Sequence, residues 1–203
     1  MASNVLPRIL TAVIVVFRRY ILLIVTPYKT MRRIAVSETD TLQLLVIAAL
    51  AGVYFLFSYQ VKEFPGTPLV SFGVFLVNIS VTIAFLYGFS RAIEKTAGLR
   101  SYIFTVAYTM FPTLTWFFAN SIFFVLLPPP RTLSIPGKVF SIFFIAFSLS
   151  LLAWKLILFY LAIRFSSGMR FTRILYIILL YLCLVIPYSI LLYHLRISRI
   201  PFI

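Results

Sequence analysis

Hydrolysis, proton relay and metal catalysis each need acids, bases or ligands that converge, and this chain offers few of them. Its carboxylates are Glu38, Asp40, Glu63 and Glu94, its one histidine is His194 and its one cysteine is Cys183. All four acids fall at the ends of apolar runs or in the connections between them. A proton-coupled transporter would commonly set Asp, Glu or His inside a span. His194 alone cannot form a metal site, and a single cysteine excludes an intrachain disulfide. Neither a phosphate-binding loop, a zinc-protease helix nor a Gly-x-Ser-x-Gly elbow is present. The expectation is a chain that is not an enzyme and uses no cofactor or metal.

One residue stands out on physical grounds. Lys155, beside Trp154, lies inside a long apolar run, about 13 Å along a helix from Arg164. Its long side chain could snorkel to the headgroups, or it could face a polar crevice and meet an anionic lipid or a partner's carboxylate. Asn78 and Asn120 are the other polar candidates for contacts between helices or with a partner. Pro112 and Pro187 fall inside apolar runs and should kink them.

The elements that carry these residues are membrane spans. Of 203 residues, 63% are hydrophobic and 11% charged, with a mean hydropathy of +1.09, whereas a soluble domain carries roughly 25% charged residues. A span takes roughly 20 residues, so five spans, at about 39–59, 69–89, 102–127, 139–163 and 172–193, use nearly the whole chain. The fold class expected is an all-α bundle of five transmembrane helices, residues 37–203, preceded by an amphipathic and juxtamembrane segment, residues 1–36. That segment resembles a signal peptide only superficially, because Arg18 and Arg19 interrupt its apolar run and no small-residue cleavage site follows. As a span it would bury two arginines at a cost of about 5 kcal/mol. Residues 6–25 therefore read as an interfacial helix with Arg8, Thr11, Arg18 and Arg19 along its polar edge, ended by Pro27. The run Ser37-Glu38-Thr39-Asp40 resembles a capping box at the start of span one, with Asp in place of Glu or Gln. Turns follow at 64–68, 91–100, the triple proline 128–130, 131–138 and Ser166-Ser167-Gly168.

The formal charge of +14 invites a nucleic-acid reading, but no nucleic-acid signature accompanies it. The basic residues instead sort by side. Arg8, Arg18, Arg19, Lys29, Arg32, Arg33, Arg91, Lys95, Arg100, Arg164, Arg170 and Arg173 fall on one face of a five-span chain, and Lys62, Arg131, Lys138, Arg196 and Arg199 on the other. By the positive-inside rule the N-terminus is cytoplasmic and the C-terminus outside. Arg18, Arg19, Arg32 and Arg33 are the expected contacts for anionic lipid or for a partner.

With the spans placed, several landmarks carry a family resemblance. They are Pro27-Tyr28-Lys29-Thr30-Met31-Arg32-Arg33-Ile34-Ala35, then Gly98-Leu99-Arg100-Ser101-Tyr102, then Ala107-Tyr108-Thr109-Met110-Phe111-Pro112. Trp154 and the stretch from Ser167-Gly168 through Arg173 complete the set. In order and spacing the chain resembles the Yip family, five-span membrane domains named for interaction with Ypt/Rab GTPases, over residues 27–194. The resemblance implies a five-helix bundle with a cytoplasmic N-terminus. Eukaryotic members carry a longer soluble N-terminal region and are associated with traffic between the endoplasmic reticulum and Golgi. This sequence departs from that pattern, which puts Rab binding in doubt and favours a compact prokaryote-like member in the cell membrane, with an endoplasmic reticulum or Golgi membrane as the alternative. Some bacterial relatives look like companions of ABC-type exporters.

Two functions are then expected in competition. One is a membrane-organising scaffold or accessory subunit of a transport or trafficking complex, partnered by other membrane proteins as a hetero-complex or homo-oligomer. The other is a transporter or channel component in which Pro112, Pro187, Asn78, Asn120 and Lys155 line a path.

Overall fold

Apolar runs with no internal acid form helices in lipid, because every backbone polar group must then find its partner within the segment. The computed structural model describes residues 5–37, 40–61, 67–94, 97–127 and 134–195. These form eight helices: α1 (Val5–Val25), α2 (Pro27–Ser37), α3 (Leu42–Val61), α4 (Pro68–Ile93), α5 (Leu99–Thr109), α6 (Phe111–Leu126), α7 (Ile135–Ser167) and α8 (Phe171–His194). There is no strand among the described residues. Five units are long and apolar enough to cross a membrane: α3, α4, the pair α5 and α6, α7 and α8. The chain is a multi-pass membrane protein built as an all-α bundle.

Local chemistry sets the helix ends. Thr67 caps α4 by accepting from the Val70 amide, with Pro68 in the first turn where its missing N–H is no loss. Ser134 caps α7 in the same way through the Gly137 amide. Gly168 ends α7 in the left-handed region at φ 71°, which glycine adopts without a steric penalty. The expected cap at Ser37 is not made: Ser37 closes α2, its hydroxyl donating to the Arg33 carbonyl, and Asp40 instead accepts from the Leu42 amide at 3.1 Å. The chain is helical again immediately after Val25, because proline is well suited to a first turn, so Pro27 opens α2 as well as closing the segment before it. Glu38, Thr39, Lys62, Glu63, residues 64–66, Lys95, Pro128 to Pro130, Arg131, Arg196 and Arg199 lie outside the described residues.

The third span is the centre of the bundle. Of the most apolar stretch of each span, 44% is buried in the third and only 11% in α7. One core joins α3, α4, α5, α6, α7 and α8 around Tyr54, Phe75, Leu86, Tyr102, Phe117, Ile163 and Ile174. A second core joins α1 and α2 to α3, α5, α6 and α7 through Val16, Leu23, Met31, Ile34, Ile47, Tyr108, Phe111 and Leu158. α1 is thus seated on the bundle by one narrow seam. One of its arginines is held beside that seam: Arg19 donates to Gln43 Oε1 at 2.9 Å, and Tyr108 donates to the same oxygen at 2.6 Å. Tyr20 reaches Thr115 of α6, the two hydroxyls 2.5 Å apart. α8 packs mainly on α4 and α7.

Candidate functional site

Two of the polar residues singled out above meet in one place. Where α4, α7 and α8 converge, a cavity of about 100 Å³ is lined by Asn78 and Thr82 of α4, Lys155 of α7 and Tyr181 of α8, within otherwise apolar walls. Successive α-helical residues turn through about 100°, so Trp154 and Lys155 face different neighbours. Trp154 turns toward α1, its ring 6.0 Å from that of Tyr20, and its buried indole N–H has no hydrogen-bond partner among the described residues. Lys155 turns into the crevice.

The polar wall opposite Lys155 is fixed by bonds between α4 and α8. The Thr82 hydroxyl gives its proton to the Asn78 carbonyl at 2.8 Å, so the 2.9 Å contact with Tyr181 has tyrosine as donor. About two turns further along α8, Tyr188 donates to Asn78 Oδ1 at 2.9 Å. With its amide so oriented, Asn78 turns an N–H₂ group with no partner among the described residues. The crevice therefore holds one cation, the Asn78 amide and a tyrosine oxygen whose remaining lone pair can accept. Among the described residues, no carboxylate lies within ion-pair distance of Lys155.

Depth follows from the helix rise. Along α7, Lys155 stands about 13 Å from Arg164 and about 25 Å from Lys138, which puts it some 6 Å from the midpoint between those two charges. A helical Cα–Cβ bond tilts toward the helix N-terminus. In α7 that direction leads toward Ile135 and the middle of the bilayer, away from the nearer Arg164 end. Snorkelling to that nearer end would run against the bond vector.

The remaining candidates are dispersed. Asn120 is half-buried on α6, away from the crevice. Pro112 lies in the first turn of α6, where the third span divides at Met110 into two helices; the segment expected to kink is broken there. α8 continues through Pro187, which has no N–H to offer the Cys183 carbonyl. Arg18 is exposed on α1, and Arg32 and Arg33 on α2, whereas Arg19 is engaged by Gln43 and lies over the Tyr108 ring, 5.7 Å from its centroid.

Sequence reasoning missed Thr82, Tyr181 and Tyr188, which shape the crevice, and Gln43 and Tyr108, which hold Arg19. A hydroxyl or amide inside an apolar run is the signal they share, but such residues are common in spans and nothing in their spacing pairs one helix with another. Compared with protein-family models, with curated proteins and with solved structures, the chain matches none.

Proposed function

We propose that this protein is a non-enzymatic scaffold or accessory subunit of a membrane complex. The observation that supports the reading is the division of its polar groups into two kinds. Several hydroxyls and amides in the spans join the chain's own helices, as in Tyr102 to Ser90, Thr105 to Ser166, Tyr108 to Gln43 and Tyr181 to Thr82. Lys155 is of the other kind: a cation at depth with no counter-charge among the described residues, in a crevice whose rim residues Leu152 and Leu156 are 50% and 42% exposed. Intramembrane charges normally pair or line a functional cavity, so this one is read as reserved for something outside the chain.

The Yip-like order of landmarks supports the same reading, since several of them form joints of the bundle. Pro27 starts α2, Gly98 stands just ahead of α5 and Gly168 closes α7. In this proposal the protein is a compact Yip-like member with a cytoplasmic N-terminus and an outside C-terminus, in a cell membrane, and Arg18, Arg32 and Arg33 face anionic headgroups. The test is extraction in mild detergent combined with crosslinking in native membranes. A defined hetero-complex or oligomer is the expected result; a lone species with no crosslinked partner would remove the reading.

A transport component remains the second reading, favoured by the meeting of Asn78 and Lys155 in one cavity. Substrate-dependent flux in proteoliposomes of the protein alone would put it first.

A further inference from the structure

We propose that the crevice between α4, α7 and α8 docks a transmembrane helix of a different polypeptide, one that carries an Asp or Glu near its middle and pairs that carboxylate with Lys155. The inference rests on the accessory-subunit reading and names the partner's chemistry at one site.

Charge is the first argument. The crevice offers the Lys155 ammonium, with no carboxylate among the described residues to pair with it. That ammonium, with three N–H donors, is complementary to a carboxylate, which accepts hydrogen bonds and supplies the missing negative charge. Charged groups within the bilayer face a protein interior or cavity and pair with one another.

Depth then separates the possible donors of that carboxylate. A lipid phosphate belongs to the headgroup layer, about 15 Å from the mid-plane of a hydrocarbon core roughly 30 Å thick. Lys155 starts some 6 Å from the midpoint between Lys138 and Arg164, and its side chain sets off toward that midpoint. A carboxylate on a spanning helix can stand at that level without dragging a headgroup inward. A second copy of this chain cannot provide it, because Glu38, Asp40, Glu63 and Glu94 all lie at span ends or in connections. The partner is therefore another protein.

Size and surroundings agree. About 100 Å³ falls short of the roughly 300 Å³ that begins the range of small-molecule pockets, and it is of the order of a single side chain. Around the mouth, Leu152, Leu156 and Ile186 are exposed apolar residues on which the rest of a partner helix can lie. α7 is also the span least covered by its own bundle.

The test uses the full chain in phosphatidylcholine vesicles with three synthetic leucine-alanine transmembrane peptides: one with a central Glu, one with a central Gln, one with Glu near an end. Energy transfer between labelled protein and labelled peptide reads association. The central-Glu peptide should associate about tenfold more tightly than either of the others, and Lys155→Met should abolish the preference. Lys155→Glu guards against simple misfolding, because it should reverse the selectivity toward a peptide with a central Lys. Equal association of the Glu and Gln peptides, or a preference that survives Lys155→Met, overturns the proposal. So does a Lys155-dependent enrichment of spin-labelled phosphatidylglycerol at the crevice with the peptides bound alike, which would assign the anion to lipid. Crosslinking in native membranes from exposed positions on α2 separates this from the broader reading. A partner captured equally by the wild type and Lys155→Met sinks the docking site and leaves the accessory role. No partner, with the Glu preference intact, sinks the accessory role and leaves the crevice chemistry.

Discussion

Tyrosine supplies much of the polar joinery between these helices, and its value in lipid is smaller than its geometry suggests. Tyr102 and Ser90 are both fully buried and bonded at 2.6 Å. Hydrogen bonds between membrane helices nevertheless average about 0.6 kcal/mol, because the unfolded chain in the bilayer also finds partners. Tyr102→Phe is expected to cost about that much, and a cycle with Ser90→Ala should isolate the coupling by thermal or detergent-titrated unfolding. At the exposed end of the bundle, Arg173 donates to Glu94 with side chains 51% and 35% exposed. Solvent screening limits such a pair, so Glu94→Gln should change stability by less than about 1 kcal/mol in the same assay. Single residues were also the least legible from sequence. Arg19 reads as a headgroup contact until Gln43, at the start of α3, and Tyr108, in α5, are seen to hold it.

Helix boundaries were more readable, and the misreadings have physical causes. Apolar runs gave each span its place, but α7 starts at Ile135 rather than near 139, since Ser134 caps it and Pro136 suits its first turn. It also runs past Arg164 to Ser167, because a charge near a helix end keeps its head in water while the backbone continues. The break at Met110 follows from Pro112, which cannot donate to the Tyr108 carbonyl; the run of apolar residues around it shows a weak point without showing that two helices result. Gly168 is the joint on which the last hairpin of spans turns. A Cβ there would meet nothing within 4 Å, so Gly168→Ala tests backbone strain alone. Left-handed geometry costs a non-glycine residue about 1–2 kcal/mol, and that loss should appear in detergent unfolding, with Gly168→Asn losing less.

For the whole molecule, the proposed topology of five crossings predicts that the segments before α3 and after α8 lie on opposite faces of the membrane. Small tags near residues 1 and 203 should react with impermeant reagents from opposite sides of intact cells or vesicles, the N-terminal tag from the cytosol. Composition made the five-span plan plain, because no soluble surface can be assembled from this inventory. Which helices touch was invisible, since Asn78 and Lys155 are far apart in sequence and lipid-facing and core-facing positions are equally apolar. The spans also differ in extent. α7, with 33 residues, measures about 50 Å, whereas α3, with 20, measures about 30 Å. A hydrocarbon slab about 30 Å thick fits α3 upright, and the longer α7 meets the same slab by tilting or by carrying its charged ends into the headgroup layers.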